Sequence, residues 1–302
     1  MAEIAEHVPL ARLTTIGTGG RARWFARPES TDELQHVLGW ARSRGIGVDV
    51  VGLGSNLLVH DDGVDALVVK LAGELAGARI DGAVLVAGGG ATNAVCLHRA
   101  RAAGLGGLEF ASAIPGTAGG GVRMNAGAYG REFRDVLIDA VVVDADGART
   151  VPAGDLELSY RHSGLRAGEV VAEVRLRLEP SSPDAVKAKV AELLAERKAT
   201  QPTNKRTFGS VFKNPSADLG AGRAIELCGL KGHRIGGAVV SPRHANFIEN
   251  AGGATSANCL TLMAEARRRV FERFGVALEH EVRLLGPLAL PPLQGEDGTA
   301  AK

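Results

Sequence analysis

Apolar positions recur at helical spacing between residues 34 and 41: Leu34, Val37, Leu38 and Ala41 share one face. Ser30 with Glu33 three residues on has the spacing of a capping box, and Gly45 stops the run, so a helix is predicted here. Apolar runs at 48–51, 66–71 and 83–87 predict strands, the first leading into "GLGSNLLV" at 52–59. "GGGAT" opens a helix over about 92–103 that Gly104 ends. A glycine-rich stretch follows at 111–130, "ASAIPGTAGGGVRMNAGAYG", to which the pattern assigns no element. Strands resume at 137–144 and 170–178. In the second, Val170, Ala172, Val174, Leu176 and Leu178 alternate with Glu173, Arg175 and Arg177, which predicts one buried and one wet face. Ser182-Pro183 starts a helix over 183–198 with Val186, Val190, Leu193 and Leu194 on its apolar face, and "ERKATQP" marks a boundary. Beyond it come a short helix near 221–228, a strand at 238–241 and a long helix over 255–274 stopped by Gly275. The last strand is expected across "VALEHEVRLLG", with Val276, Leu278, Val282 and Leu284 opposite Glu279, Glu281 and Arg283. Residues 287–302 have no period and are expected to be a disordered tail.

The 302 residues fit roughly two domains, and no internal repeat divides them. A net charge of +1 offers no footprint for nucleic acid or an anionic membrane. No run approaches the ~18 apolar residues that span a bilayer, and the start shows no secretory signal, so the expected location is cytoplasmic. Cys96, Cys228 and Cys259 are far apart and form no CxxC pair, which argues against a metal site. No obligatory protein partner is indicated.

The 41 glycines change the picture, because ~7% would be average and they cluster among Val, Leu and Ala. "GLGSN" after a strand exposes backbone N–H groups that could hold a pyrophosphate. It lacks the third glycine of G-x-G-x-x-G and no helix follows, so a Rossmann half is disfavoured. With the patches at 88–92 and 115–121, two readings stay open: a cradle for a long, doubly charged ligand such as a flavin dinucleotide, or tight strand connections in an α+β domain.

Seven motifs occur in order over about residues 12–286: "TTIGTGGRARWF", "VVGLGSNLLV", "FASAIPGTAGGGVRMNAGAYG", "LSYRHSGL", "TFGSVFKNP", "GLKGHRIGGAVVSPRHANFI" and "LEHEVRLLG". Together they resemble the UDP-N-acetylenolpyruvoylglucosamine reductases, in their second, shorter type. The resemblance implies an α+β chain with a two-subdomain FAD-binding fold of the vanillyl-alcohol oxidase type, over 1–75 and 76–197, and a C-terminal α+β substrate-binding domain over 198–286. It implies FAD as cofactor, NADPH as co-substrate and a nucleotide-sugar substrate. Gly121 departs from the alanine often found there, and Arg21 from a common proline; neither change removes a functional group.

Carried onto this chain, the resemblance places flavin contacts at Gly52, Gly54, Ser55 and Asn56, and at Ala111, Ser112, Pro115, Gly116, Thr117, Gly120, Asn125 and Gly127. Lys213, Asn214 and Tyr129 would meet the substrate. Arg161 would hold the substrate carboxylate, because a guanidinium fork binds it bidentately. Glu281 would hydrogen-bond the developing enolate as a protonated or proton-sharing carboxyl, and Ser210 would protonate the carbanion. By spacing alone Arg161 is a surface or strand-end arginine, and Glu279 competes with Glu281 on the same face. His233 and His244 lack ligand spacing, and "EARRR" at 265–269 reads as a solvated helix face. An alcohol or sugar oxidase of the same fold, or a nucleotide-sugar-binding protein without turnover, are the rival readings.

Overall fold

The protein, seen in a computed structural model, is described over residues 2–216 and 218–293. It divides into two compact units. Unit 1 takes the first eight residues, Ala22–Leu53 and Asp65–Ala199; unit 2 takes Pro9–Arg21, Gly54–Val64 and the chain from Thr200 onward.

Unit 1 contains two sheets. The first orders its strands Ile4–Pro9, Arg21–Ala26, Val64–Val69 and Val48–Val50, the last pair parallel. The second is antiparallel throughout, in the order Ala148–Pro152, Leu137–Val143, Val170–Arg177, Val84–Gly88 and Ala78–Asp81. Helix α1 (Thr31–Arg42) buries the expected stripe, Leu34, Val37, Leu38 and Ala41, against Leu67 and Val69. Its cap differs in one half: Ser30 Oγ accepts from Glu33 N–H at 3.3 Å, but the Glu33 carboxylate accepts from Glu29 N–H at 3.0 Å rather than from Ser30. Helix α2 (Asn93–Ala102) is capped by Thr92 and followed by Gly104 at φ +68°.

The single buried face expected for 170–178 is not what forms. The register against Leu137–Val143 slips at Ala172, where Val141 faces Glu173 but Val142 faces Val171. The bulge breaks the alternation. Val170 and Ala172 therefore join the α1 core, while Val171, Val174 and Leu176 join a second core with Phe110, Val122 and Phe133.

Helix α3 (Ala118–Arg123) arises inside the glycine-rich stretch, where the sequence predicts no element. Successive glycines are poor helix formers, by about 1 kcal/mol each. They are needed for close approach: a Cβ at Gly119 would lie 2.9 Å from the Gly89 carbonyl oxygen, and one at Gly121 would lie 2.3 Å from the Phe133 ring. Helix α4 (Pro183–Thr200) buries Val186 and Leu193, but Leu194 is 42% exposed and so lies off the apolar face assigned to it.

Unit 2 is an antiparallel sheet ordered Thr207–Ser210, Phe247–Asn250, Ala238–Val240 and Arg234–Ile235, with helices α5 (Ala221–Leu227) and α6 (Ser256–Phe274). Phe208, Ile225, Ile248, Leu262, Met263 and Val270 form its core. The start of α6 is fully capped. Thr255 and Asn258 exchange side-chain bonds, and the Asp61 carboxylate accepts from Ser256 and Ala257 N–H at 2.8 and 2.9 Å.

Strand Leu57–Val59 pairs in parallel with Arg283–Leu285, which is why 54–64 joins this unit. Unit 1 ends at Ala199. Of the strand expected over 276–286, only 283–285 is regular; Leu278 and Val282 are nonetheless buried. The tail expectation is corrected for 287–293: Leu288 and Leu290 pack against the unit 2 core, and Arg267 Nη1 donates to the Pro291 carbonyl at 2.9 Å. Residues 294–302 lie outside the described residues. Among the described residues no helix is long and apolar enough to cross a membrane, and no group of His, Cys, Asp or Glu could hold a metal ion.

Candidate active site

In unit 2 the chemistry gathers where the strand Thr207–Ser210 ends. Thr207 faces Glu249 and Ser210 faces Phe247, so Phe208 and Gly209 together oppose Ile248 alone. This is a β-bulge, and Gly209 takes the left-handed conformation it requires, at φ +81°. The bulge re-aims Ser210. Its side chain is half-buried, and among the described residues its hydroxyl has no hydrogen-bond partner.

After Ser210 the chain runs beside 279–281. Glu281 N–H donates to Val211 C=O at 2.8 Å, Phe212 bridges His280, and Lys213 N–H donates to Glu279 C=O at 2.9 Å. Glu281 is thus bonded to the residue next to Ser210. The two carboxylates that compete in the sequence are separated here: exposed Glu279 pairs with Lys213 Nζ at 2.6 Å, while Glu281 is half-buried. Asn56 is tied to the same segment, its Nδ2 donating to the Glu281 carbonyl at 3.1 Å. Ser55 stands beside the bulge, with its carbonyl oxygen 3.2 Å from where a Gly209 Cβ would be. Gly54, at φ +66°, leaves no room for a side chain, since a Cβ would lie 1.9 Å from Leu13 O. Asn214 Oδ1 accepts from Ala221 N–H at 3.0 Å and so caps α5.

In unit 1 Arg161 sits at the tip of a tight turn. Ser159 and His162 exchange backbone bonds at 3.2 and 3.1 Å, and Arg161 is left-handed at φ +55°. Its Nη2 donates to Gly127 C=O at 3.0 Å, and its guanidinium stacks 4.9 Å from the Tyr160 ring centre. The base of the turn is held by Asn125, which is wholly buried. Asn125 Nδ2 donates to Ser159 C=O at 3.0 Å and to the Glu132 carboxylate at 2.9 Å, and Oδ1 accepts from Arg134 N–H at 3.0 Å. The Asn125 side chain thus supports the Arg161 turn. Tyr129 donates to the Leu193 carbonyl at 2.8 Å.

The remaining unit 1 positions fit a bound dinucleotide. Ser112 Oγ is buried with no partner among the described residues, an orphan polar atom that a ligand group can satisfy. Gly52 packs on Thr117, where a Cβ would lie 2.8 Å from Oγ1, and the N–H groups of Gly52 and Leu53 have no acceptor among the described residues. Gly116 opens on space, with Asn93 Nδ2 3.7 Å from a notional Cβ; Pro115 and Gly120 are exposed and Ala111 is buried. Lys70, which the motifs do not single out, donates from Nζ to the Gly52 carbonyl, and burial lowers its pKa. A lone lysine at the end of an apolar strand is the signal that could have found it. Asn246, also missed, carries no such signal.

Residues 22–151 match an FAD binding domain, and residues 201–285 match the family described as UDP-N-acetylenolpyruvoylglucosamine reductase, C-terminal domain. A protein of that name from Anaeromyxobacter dehalogenans is 47% identical over 97% of this chain and 89% of its own length. A UDP-N-acetylenolpyruvoylglucosamine reductase 2 from Symbiobacterium thermophilum is 44% identical over 92% of this chain and 91% of its own. The crystal structure of the reductase from Thermus caldophilus superposes with a TM-score of 0.81 at 35% identity, covering 94% of this chain and 99% of that one. The chain belongs to the UDP-N-acetylenolpyruvoylglucosamine reductase family.

Proposed function

We propose that this enzyme reduces the enolpyruvyl ether of UDP-N-acetylglucosamine to UDP-N-acetylmuramate for peptidoglycan synthesis, with FAD as cofactor and NADPH as the source of electrons. When bound, FAD supplies the hydride that adds to the terminal vinyl carbon of the substrate. Negative charge then builds on the carbon beside the substrate carboxylate, and this chain's side chains must stabilise and protonate it. Arg161, preset on its turn by Asn125 and Gly127, meets the carboxylate with a charge that is present throughout the reaction. Glu281 donates a hydrogen bond to the developing enolate, which requires it to carry a proton at that stage. Ser210 gives its hydroxyl proton to the carbanion.

The observation that carries this reading is the Ser210 hydroxyl, without a partner among the described residues and held at a bulge one residue from the backbone bond to Glu281. A hydroxyl with no acceptor among the described residues is free to donate, and being neutral it brings no charge of its own to the carbanion. Gly52, Leu53, Ser112, Gly116 and Thr117 would hold the dinucleotide, with Lys70 fixing the Gly52 carbonyl. Lys213 would exchange its bond to Glu279 for the substrate diphosphate. A cytoplasmic location belongs to the same reading, since the nucleotide sugar and NADPH are cytoplasmic metabolites.

The purified protein should carry FAD and oxidise NADPH at a rate that rises many-fold on adding the enolpyruvyl nucleotide sugar. Protein without flavin, or NADPH oxidation indifferent to that substrate, would refute the assignment.

A further inference from the structure

We propose that Asn246 is the positioning residue that holds Ser210 and Glu281 in register, an inference that rests on the reading of Ser210 as the proton donor. Ser210 is the last residue of its strand to pair with Phe247. Beyond it the ladder to 247–250 ends, and Asn246 supplies the missing bonds. Its carbonyl accepts from Val211 N–H at 2.9 Å. Its side-chain Oδ1 accepts from Phe212 N–H at 2.9 Å, and its Nδ2 donates to Phe212 C=O at 2.8 Å.

These three bonds fix both residues after Ser210, and Val211 C=O is itself the acceptor for Glu281 N–H. Asn246 is 4% exposed and is held in turn by its own N–H to His244 Nδ1 at 3.2 Å. A carboxamide offers one donor and one acceptor at the spacing of a peptide edge, which is what bracketing Phe212 requires. Asp keeps the acceptor and loses the donor. Gln keeps both on a longer stem.

A displacement of about 1 Å at a reacting group can cost about 10²-fold in rate. The test uses holoenzyme of the parent, Asn246→Asp, Ser210→Ala and the double variant. Each is reduced anaerobically and then mixed with the enolpyruvyl nucleotide sugar while flavin reoxidation is followed. Asn246→Asp is expected to reoxidise about 10²-fold more slowly, to be reduced by NADPH within about twofold of the parent, and to add far less than its own single defect to that of Ser210→Ala. A merely structural role would slow both half-reactions, or multiply with Ser210→Ala. Either outcome, or reoxidation of Asn246→Asp at the parent rate, overturns the inference. If Asn246→Asp is recovered without flavin, Asn246→Gln carries the same measurement with the same expected split. If Ser210→Ala alone reoxidises at the parent rate, the proton-donor reading fails and takes this inference with it; if only Asn246→Asp does, the inference fails alone.

Discussion

Replacing Asn125 with alanine separates two roles for a single residue, flavin contact or support for the Arg161 turn. The side chain is wholly buried and makes three bonds, to Ser159 C=O, the Glu132 carboxylate and Arg134 N–H. Two are neutral and contribute about 1 kcal/mol each; the charged one contributes more in isolation. Glu132 keeps Arg134 Nε at 2.8 Å, however, so its loss is cushioned. Alanine must also adopt φ +37°, where Asn is better tolerated, at a cost of about 1 kcal/mol. The sum is about 3–4 kcal/mol, which lowers the melting temperature of a chain this size by roughly 10 °C. Thermal melting, FAD titration by fluorescence quenching and steady-state kinetics on the Asn125→Ala holoenzyme read the three consequences separately. The melting temperature should fall as stated, the FAD dissociation constant should stay within about threefold, and KM for the nucleotide sugar should rise about tenfold or more as the Arg161 turn loosens. Flavin affinity reduced tenfold with KM unchanged would mean that Asn125 is a cofactor residue after all.

Gly121→Ala should destabilise by about 1–3 kcal/mol, because its Cβ would lie 2.3 Å from the Phe133 ring. Adding Phe133→Leu should recover part of the loss, and denaturant melts that show additive losses would refute the coupling. Gly209→Ala must hold alanine at φ +81° in the bulge and should cost about 1–2 kcal/mol while slowing flavin reoxidation by substrate; a silent variant would deny the bulge its role. His244 has its pKa lowered, first by burial and then by the Lys231 ammonium. Its folded pKa lies below its unfolded value, so the unfolded chain binds the proton first. Stability is therefore full above pH ~6.5 and lost as pH falls toward the lowered folded pKa. Urea melts between pH 7 and 5 should show that loss reduced in His244→Gln, and an identical pH profile in the variant would contradict it.

The helices were the most legible part of the chain, because α1, α2 and α6 carry caps and stop glycines at their ends and α1 a periodic apolar face as well. Helix α3 was illegible for a physical reason: its glycines oppose helix formation locally and are selected by contacts with Gly89 and Phe133, distant in sequence. The bulges at Ala172 and Gly209 were likewise hidden, since an extra residue in a strand is defined only by its partner. At the site, the motifs placed Ser210, Arg161 and Glu281 by resemblance, but they could not distinguish residues that meet a ligand from those that hold the ones that do. Asn56, Asn125, Gly127 and Asn214 fall at least partly into the second group, since each spends side-chain or backbone bonds on neighbouring protein. Lys70 is marked in the sequence only as a lone lysine ending an apolar strand, and Asn246 by no pattern; what each holds is visible only in its hydrogen bonds.

The most direct test of proton delivery by Ser210 is a single turnover of reduced Ser210→Ala holoenzyme with the enolpyruvyl nucleotide sugar. Reoxidation should slow by about 10²–10⁴-fold while reduction by NADPH keeps the parent rate. Reoxidation at the parent rate would contradict the role given to that hydroxyl.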